Sequence, residues 1–300
     1  MKTPHRDKLT ALFKNEKLPA SDRQKEQLVF NYYEQWMSVL QDKTISADKY
    51  LQALVDATNK YKNFIDLDFI FSSSNDFLYR QKGQLKLDNT ILEECLPYLV
   101  DKRLVPGPFS TVNHFVGDEA CYAGLFFGTW LAKTLEDRVF IKKKNQDFAV
   151  GKTIKISIED DGVIQIRDLK VAYFAAELKT NLDKTMFQEA SATARELKTN
   201  VQNSKYCLVC EWLDMTPIDS ATTSIDSVIV LRKAKRINSN KRSNFSSVNG
   251  RQKYLSEFTT FILSNPLDYG MFKHLVTMLN EAIPTPDSVT EEDKLARGYF

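Results

Sequence analysis

Along the first hundred residues the apolar positions recur every three or four residues, the spacing of one helical face. "SDRQKEQLVFNYYEQWMSVLQD" from Ser21 and "SADKYLQALVDATNKYKNF" from Ser46 each open on a capping residue, and both predict helices. "FLYRQKGQLKLDNT" from Phe77 predicts a small hairpin about Lys82-Gly83, followed by a helix over "TILEECLPYLVDK". "VPGPFS" from Val105 crowds two prolines and a glycine together and predicts a boundary. "DEACYAGLFFGTWLAKTLED", between Gly117 and Glu136-Asp137, reads as a mostly buried helix.

Beyond it the chain turns rich in Val, Ile, Phe and Tyr, as strands are, in "RVFIKKKN", "KTIKISIED", "GVIQIRDLKVAYFAAELK" and "KYCLVCEWLD". One helix, residues 185–198, separates the last two, and "PLDYGMFKHLVTMLNEAI" closes the pattern as an amphipathic helix. A helix, three strands, a helix and a strand predict an α/β (α+β) fold. Its mixed sheet is a meander plus one crossover strand, flanked by helices. The expected division is a helical N-terminal region over 1–107, a sheet domain over 108–235, and a basic loop with a C-terminal helix over 236–300.

Composition excludes little: 27% of residues are charged and the net charge is +2. No apolar leader opens the chain, and the longest apolar run, from Tyr122, falls short of the about 20 residues a membrane helix needs. Cys207 and Cys210 form one CxxC inside an apolar strand pattern. With Cys95 and Cys121 they read as reduced core thiols in a cytosolic setting, without a second ligand pair for zinc. His5, His114 and His274 have no sequence partners for a histidine-metal site.

Charge distribution says more. From Ser227 to Ser256 there is no acid but eight bases: Arg232, Lys233, Lys235, Arg236, Lys241, Arg242, Arg251 and Lys253. Such a segment suits a mobile loop that orders on phosphates, so Arg232, Lys233, Lys235, Arg236, Lys241, Arg242 and Arg251, with Lys184, are candidate DNA contacts. A solvated basic loop without a ligand is the plainer alternative.

One strand ends in charge. Alternation puts Val171, Tyr173, Ala175, Glu177 and Lys179 on one face, with Leu178 on the other. The Asp161-Gly162 pair signals a hairpin. Antiparallel pairing about residue 161 brings Glu177 opposite roughly residue 145, within two residues of Asp147. Asp168 lies about 30 Å from Glu177 along the same strand, too far to share an ion. Asp147, Glu177 and the Leu178 carbonyl offer hard oxygens suited to Mg²⁺. Lys179 can orient a water and stabilise charge on phosphoryl oxygens. A surface salt bridge at a strand end is the alternative reading.

Asp147 followed by Glu177-x-Lys179 resembles the PD-(D/E)xK nuclease signature, with Gln146 where that signature has proline. "KNQDFAVGKT" and "AAELKTNLDKTMFQEASATARELK", with "FLYRQKGQLKLDNTILEECLPYLV", resemble the type II restriction endonucleases grouped with Bpu-ten-I. That resemblance implies a sheet of the PD-(D/E)xK type and Mg²⁺-dependent, site-specific cleavage of double-stranded DNA. It also implies a bacterial, cytoplasmic enzyme whose host carries a cognate DNA methyltransferase. It makes Asp147, Glu177 and Lys179 catalytic. It suggests Gln188, less so Glu189, on the helix after the active strand, and Glu119 as an auxiliary carboxylate on the helix before the sheet. A homodimer, or a heterodimer with a related subunit, is expected because cutting two strands takes two sites. A repair or recombination nuclease of the same fold and a non-catalytic DNA-binding subunit are the competing functions.

Overall fold

The computed structural model describes residues 2–106, 114–129, 134, 138–283 and 291–292. Helices α1 (Pro4–Lys14), α2 (Glu26–Gln41) and α3 (Ala47–Asn63) open the chain, and α3 runs on as a wider π-type helix over Phe64–Phe71. The hairpin expected about Lys82-Gly83 is instead a helix pair, α4 (Phe77–Leu85) and α5 (Leu87–Cys95). Leu87 and Ile91, four residues apart, are both fully buried, a helical rather than an alternating demand. The reversal falls at Lys86, which takes a left-handed φ of 52° and returns its N–H to the Lys82 carbonyl. Gly83 stays inside α4, where it costs only about 1 kcal/mol relative to alanine.

A buried polar knot holds these helices in register. The His5 ring nitrogens meet Thr90 Oγ1 at 2.9 Å and Tyr61 Oη at 2.7 Å, while Glu94 accepts the His5 backbone N–H and the Tyr33 hydroxyl. Burial, aided by the Lys62 charge, lowers the His5 pKa to about 3, so the ring is neutral.

The sheet runs in the order β1-β2-β3-β4-β5, with β1 (His114–Phe127), β2 (Val139–Asp160), β3 (Val163–Leu182), β4 (Lys205–Leu213) and β5 (Ser227–Val230). Strands β1 to β3 form an antiparallel meander, and β4 joins β3 in parallel through α6 (Lys184–Asn200), as the crossover pattern implied. The helix expected from Asp118 is strand β1 over its described part; residues 130–133 and 135–137 of that stretch, like 107–110 of "VPGPFS", lie outside the described residues. Tyr, Phe and Cys in that run favour a strand once β2 supplies a ladder, and Cys121 and Ala123 are buried two apart. The two runs expected as separate strands fuse into the single β2. Arg138, just before it, bonds Asp160 at its far end at 2.6 Å, so a strand that would span about 70 Å straight must coil back on itself.

One face of the sheet (Phe148, Val150, Phe174, Ala176, Leu178) shares a core with the N-terminal helices and with α8 (Tyr269–Ala282), which follows α7 (Val248–Ser264). The other face packs on α6 through small residues, Ala172 and Ala175 against Ala190 and Ala194. Cys207 belongs to the first core and Cys210 to the second, so the CxxC thiols point to opposite faces of β4. Burial pushes both up to about 12, and they remain thiols.

Register in the β2–β3 hairpin is set by two backbone features. Asp161 and Gly162 both take positive φ, 51° and 75°, the two-residue turn that fits the twist of a hairpin. Pairing then runs evenly from Asp160↔Val163 to Gly151↔Ala172, where it slips: the next pair is Val150↔Phe174, and Tyr173 is the extra residue of a β-bulge. Gly151 makes the slip possible, because a Cβ there would lie 2.0 Å from the Val171 carbonyl oxygen and 2.7 Å from the Phe115 ring.

Gly151→Ala is therefore expected to lower unfolding free energy by about 2 kcal/mol or more in urea titrations, whereas Gly83→Ala, with open space around it, raises it by about 0.5–1 kcal/mol. His5 sets a pH dependence. Its folded pKa of about 3 lies below the ordinary 6.5, so only the unfolded chain binds the proton between them. Stability falls as pH drops from about 6.5 towards 3, by up to about 1.4 kcal/mol per pH unit. Melting temperatures across that range should show a slope that His5→Gln flattens.

Candidate active site

Beyond the bulge the pairing continues to Phe148↔Ala176, and one further step sets Asp147 across from Glu177. Without the extra Tyr173, Gln146 would stand there. The Asp147 carboxylate accepts the backbone N–H of Leu178 at 2.8 Å, so it is tied to the residue between Glu177 and Lys179. Lys179 Nζ lies 2.7 Å from Glu177 Oε1, and the Tyr206 hydroxyl donates to Glu177 Oε2 at 3.0 Å. Tyr206 is fully buried on β4, so this bond holds the Glu177 side chain from beneath.

The electrostatics of this corner are those of crowded acids beside a retained cation. Burial raises the Asp147 pKa, and the charges of Glu177 and Asp118 add to it, against the Leu178 N–H and Lys179. Burial by itself would lower Lys179. Its hydrogen bond to Glu177, with the charges of Glu177, Asp147 and Glu189, outweighs that, and Lys179 ends above the ordinary lysine value. It stays protonated.

Around Asp147 and Lys179 opens a cleft of about 340 Å³, lined also by Lys82, Lys86, Asn89 and Glu93 from α4 and α5 and by Arg236. Glu93 is the acid that sequence reasoning passed over. Burial and the Asp147 charge raise its pKa, and Asn89 bonds it at 2.6 Å. Only the spacing of Asn89 and Glu93 on one helical face hinted at it.

The other candidates scatter. Glu119 lies on β1 rather than on a helix, where Lys170 binds it, and its register partner is Gln146. Gln188 and Glu189 are exposed on α6, and of the two only the Glu189 charge acts on Lys179. Gln146 is buried, with neither carboxamide atom partnered among the described residues.

The basic segment is not a loop awaiting counter-charge. It holds β5, a short helix at Ser239–Arg242 and α7, and its acids come from elsewhere in the chain. Arg232 is buried against Glu211 at 2.7 Å. Arg251 is buried too, donating to the carbonyls of Phe71, Phe245, Ser73 and Asn75. These two guanidinium groups stitch the interior, which corrects their place among the DNA contacts. Lys233 pairs with Asp268, Lys241 with Glu257, and Arg236 and Arg242 share Asp214. Lys184 and Lys235 are exposed.

A mixed five-stranded sheet flanked by helices, bearing Asp, Glu and Lys where β2 parts from β3, defines a nuclease fold. The structure titled "native BbvCI A2B2 tetramer at low resolution" shares it, with a TM-score of 0.63 and 18% identity over 93% of this chain and 95% of that one. No curated protein matches in sequence. The family model described as Bpu10I restriction endonuclease matches residues 84–300, and the chain belongs to that family. It is a restriction endonuclease, a nuclease acting on DNA. Among the described residues no helix is long and apolar enough to cross a membrane.

Tyr206→Phe deletes one hydroxyl and leaves Glu177 tied by Lys179 alone. The expected result is a loss of about 1 kcal/mol in stability, read by urea denaturation.

Proposed function

We propose that this chain is a type II, site-specific endonuclease that hydrolyses both strands of duplex DNA with Mg²⁺ at the Asp147–Glu177–Lys179 corner. The observation carrying this is the Asp147 carboxylate bonded to the Leu178 N–H, which gathers two acids and one amine at a strand end. The donor set fits the ion: two crowded carboxylates, Asp147 raised by burial and by its acidic neighbours, plus a main-chain carbonyl suit a cation that keeps most of its waters. Asp147, Glu177 and the Leu178 carbonyl would hold it. When bound, Mg²⁺ polarises the phosphodiester and lowers the pKa of a coordinated water.

The remaining work falls to the chain. Lys179, protonated and pinned by Glu177, donates to the attacking water and to the phosphoryl oxygen that gains charge. Tyr206 keeps Glu177 from rotating. Lys82, Lys86 and Arg236 line the cleft, and the exposed Lys184 and Lys235 add positive charge for more distant phosphates, which also predicts binding that weakens steeply with salt. In this reading Glu93, beside Asp147 in the cleft, takes the auxiliary-acid role expected of Glu119.

One corner per chain cuts one strand, so a dimer of like or related subunits follows. The A2B2 assembly named for the structural neighbour supports this reading. A bacterial host with a cognate methyltransferase, and the cytoplasm as the working compartment, follow from the same assignment.

Incubated with Mg²⁺ and a plasmid of known sequence, the purified protein should yield discrete fragments. Chelation by EDTA should abolish them, and Lys179→Ala should slow cleavage by about 10²–10³ while gel-shift binding persists. Nicked circles would assign one strand to this chain and the other to a related subunit. Smeared products would replace this reading with a repair nuclease, and binding without cleavage with a non-catalytic subunit.

A further inference from the structure

Strand β2 pairs with both of its neighbours only near its middle. Before Phe148 it pairs with β1 alone and after Lys152 with β3 alone, which leaves two two-stranded ribbons. Arg138 bonds Asp160 at 2.6 Å and Asp161 at 3.0 Å and so draws the ribbon ends together.

These ribbons hold apolar side chains in water. Among the described residues seven large apolar residues are at least half exposed, and six of them stand here: Phe126, Phe127 and Phe140 on one ribbon, Val163, Ile164 and Ile166 on the other. At about 200 Å² for a whole side chain of this kind, they uncover about 700 Å². The largest apolar patch of an ordinary monomer is about 300–600 Å², and each partner in a stable complex covers about 800 Å². Alternation puts Phe126 and Phe127 on opposite faces, and likewise Val163 and Ile164, so each ribbon is apolar on both sides. Strands of that pattern are normally covered on both sides. A hollow of about 240 Å³, against about 340 Å³ for the cleft, lies among Val139, Phe140, Ile141, Arg167 and Leu169 of the two ribbons.

Charge selects the occupant. The tip of the β2–β3 ribbon carries Glu159, Asp160 and Asp161 and stays acidic even with Arg138 beside it, which disfavours the phosphate surfaces of lipid and nucleic acid. Lys143, Lys152 and Lys155, all exposed, stand farther along the ribbons. An acidic tip and a basic stem on one molecule complement a second copy turned about a two-fold axis. We propose that the double ribbon is a dimer surface on which two copies of this chain clasp each other. Each copy seats Ile164 and Ile166 in the other's hollow and sets its acidic tip against the other's basic stem. Pairing here rests on the endonuclease reading above only for its consequence, two cutting corners in one particle. None of the six exposed residues lines the cleft, so both clefts stay open to DNA.

Sedimentation velocity of the full chain without DNA should give twice its 34.5 kDa. Ile166→Glu, at an exposed position, should raise the dissociation constant at least about thirtyfold, the weight of one interface anchor, with an unchanged circular-dichroism melt. Should the melt shift, oxidative cross-linking supplies the contrast. Ile166→Cys chains mixed with Phe140→Cys chains should form a linked pair, while the four native cysteines, all buried, stay out of the link.

A monomer at every concentration overturns the inference. A dimer that ignores Ile166→Glu and forms no cross-link does so too. Binding of a monomer to phosphatidylglycerol vesicles or to random-sequence duplex DNA, lost in Ile166→Glu, assigns the surface to lipid or nucleic acid instead. Plasmid cleavage is scored separately. A chain that pairs through the ribbons but never cuts leaves the inference standing and sinks the endonuclease reading; one that cuts yet never pairs does the reverse.

Discussion

The proposed active-site corner depends on one extra residue in a strand. Tyr173 bulges out of the β2–β3 ladder, and from there every pair moves along by one. An even ladder would set the neutral Gln146 across from Glu177; the bulge sets Asp147 there. Because alternate residues of a strand face opposite ways, that single step decides whether a carboxylate or a carboxamide reaches the corner. Gly151 is what allows it, since any Cβ at that position collides with the neighbouring backbone. The Asp161-Gly162 turn and the Gly151 bulge are thus two parts of one device that places the acid.

A second constraint fixes the helices to the sheet. Lys62 and Asp66 come from the α3 segment, Glu211 from β4 and Arg232 from beyond β5, and they form a buried group of two cations and two anions. Burial would raise the Glu211 pKa, but Lys62 and Arg232 hold it below the ordinary carboxylate range, while burial raises Asp66. Removing one member of such a group typically costs about 3–5 kcal/mol, because its partner is left charged and unpaired. The core that joins α2, α3 and α5 to Phe148, Phe174 and Leu178 holds the helices on the sheet as well, and Lys82, Lys86 and Glu93 line one cleft with Asp147. The cleft around Asp147 is accordingly a joint product of the helical region and the sheet.

Charge in this protein is spent twice. Arg232 and Arg251, which in sequence belong to the most basic stretch, are interior braces. The cations left at the cleft are fewer and come from farther apart: Lys82 and Lys86 from α4 and its end, Arg236 from beyond β5. Arg236 and Arg242 share one acid, so that side of the cleft keeps an excess of positive charge.

Much of this was legible in the residues alone. Local rules settled the amphipathic helices, the Asp-Gly turn, the parallel crossover after α6 and the grouping of Glu177 with Lys179 at a strand end, because each depends on neighbours within a few positions. The approach of Asp147 was legible only to within two residues, since a bulge is a backbone event whose cause, Gly151 beneath Val171 and Phe115, lies across strands. The β1 segment carries a helix-like pattern and the α4–α5 pair a hairpin-like one for a related reason. Which period an apolar run adopts is decided by the partner that covers it. Glu93, the Tyr206 brace and the burial of Arg232 and Arg251 could be decided only by the tertiary structure, because a charge takes its role from groups far away in sequence that fold against it.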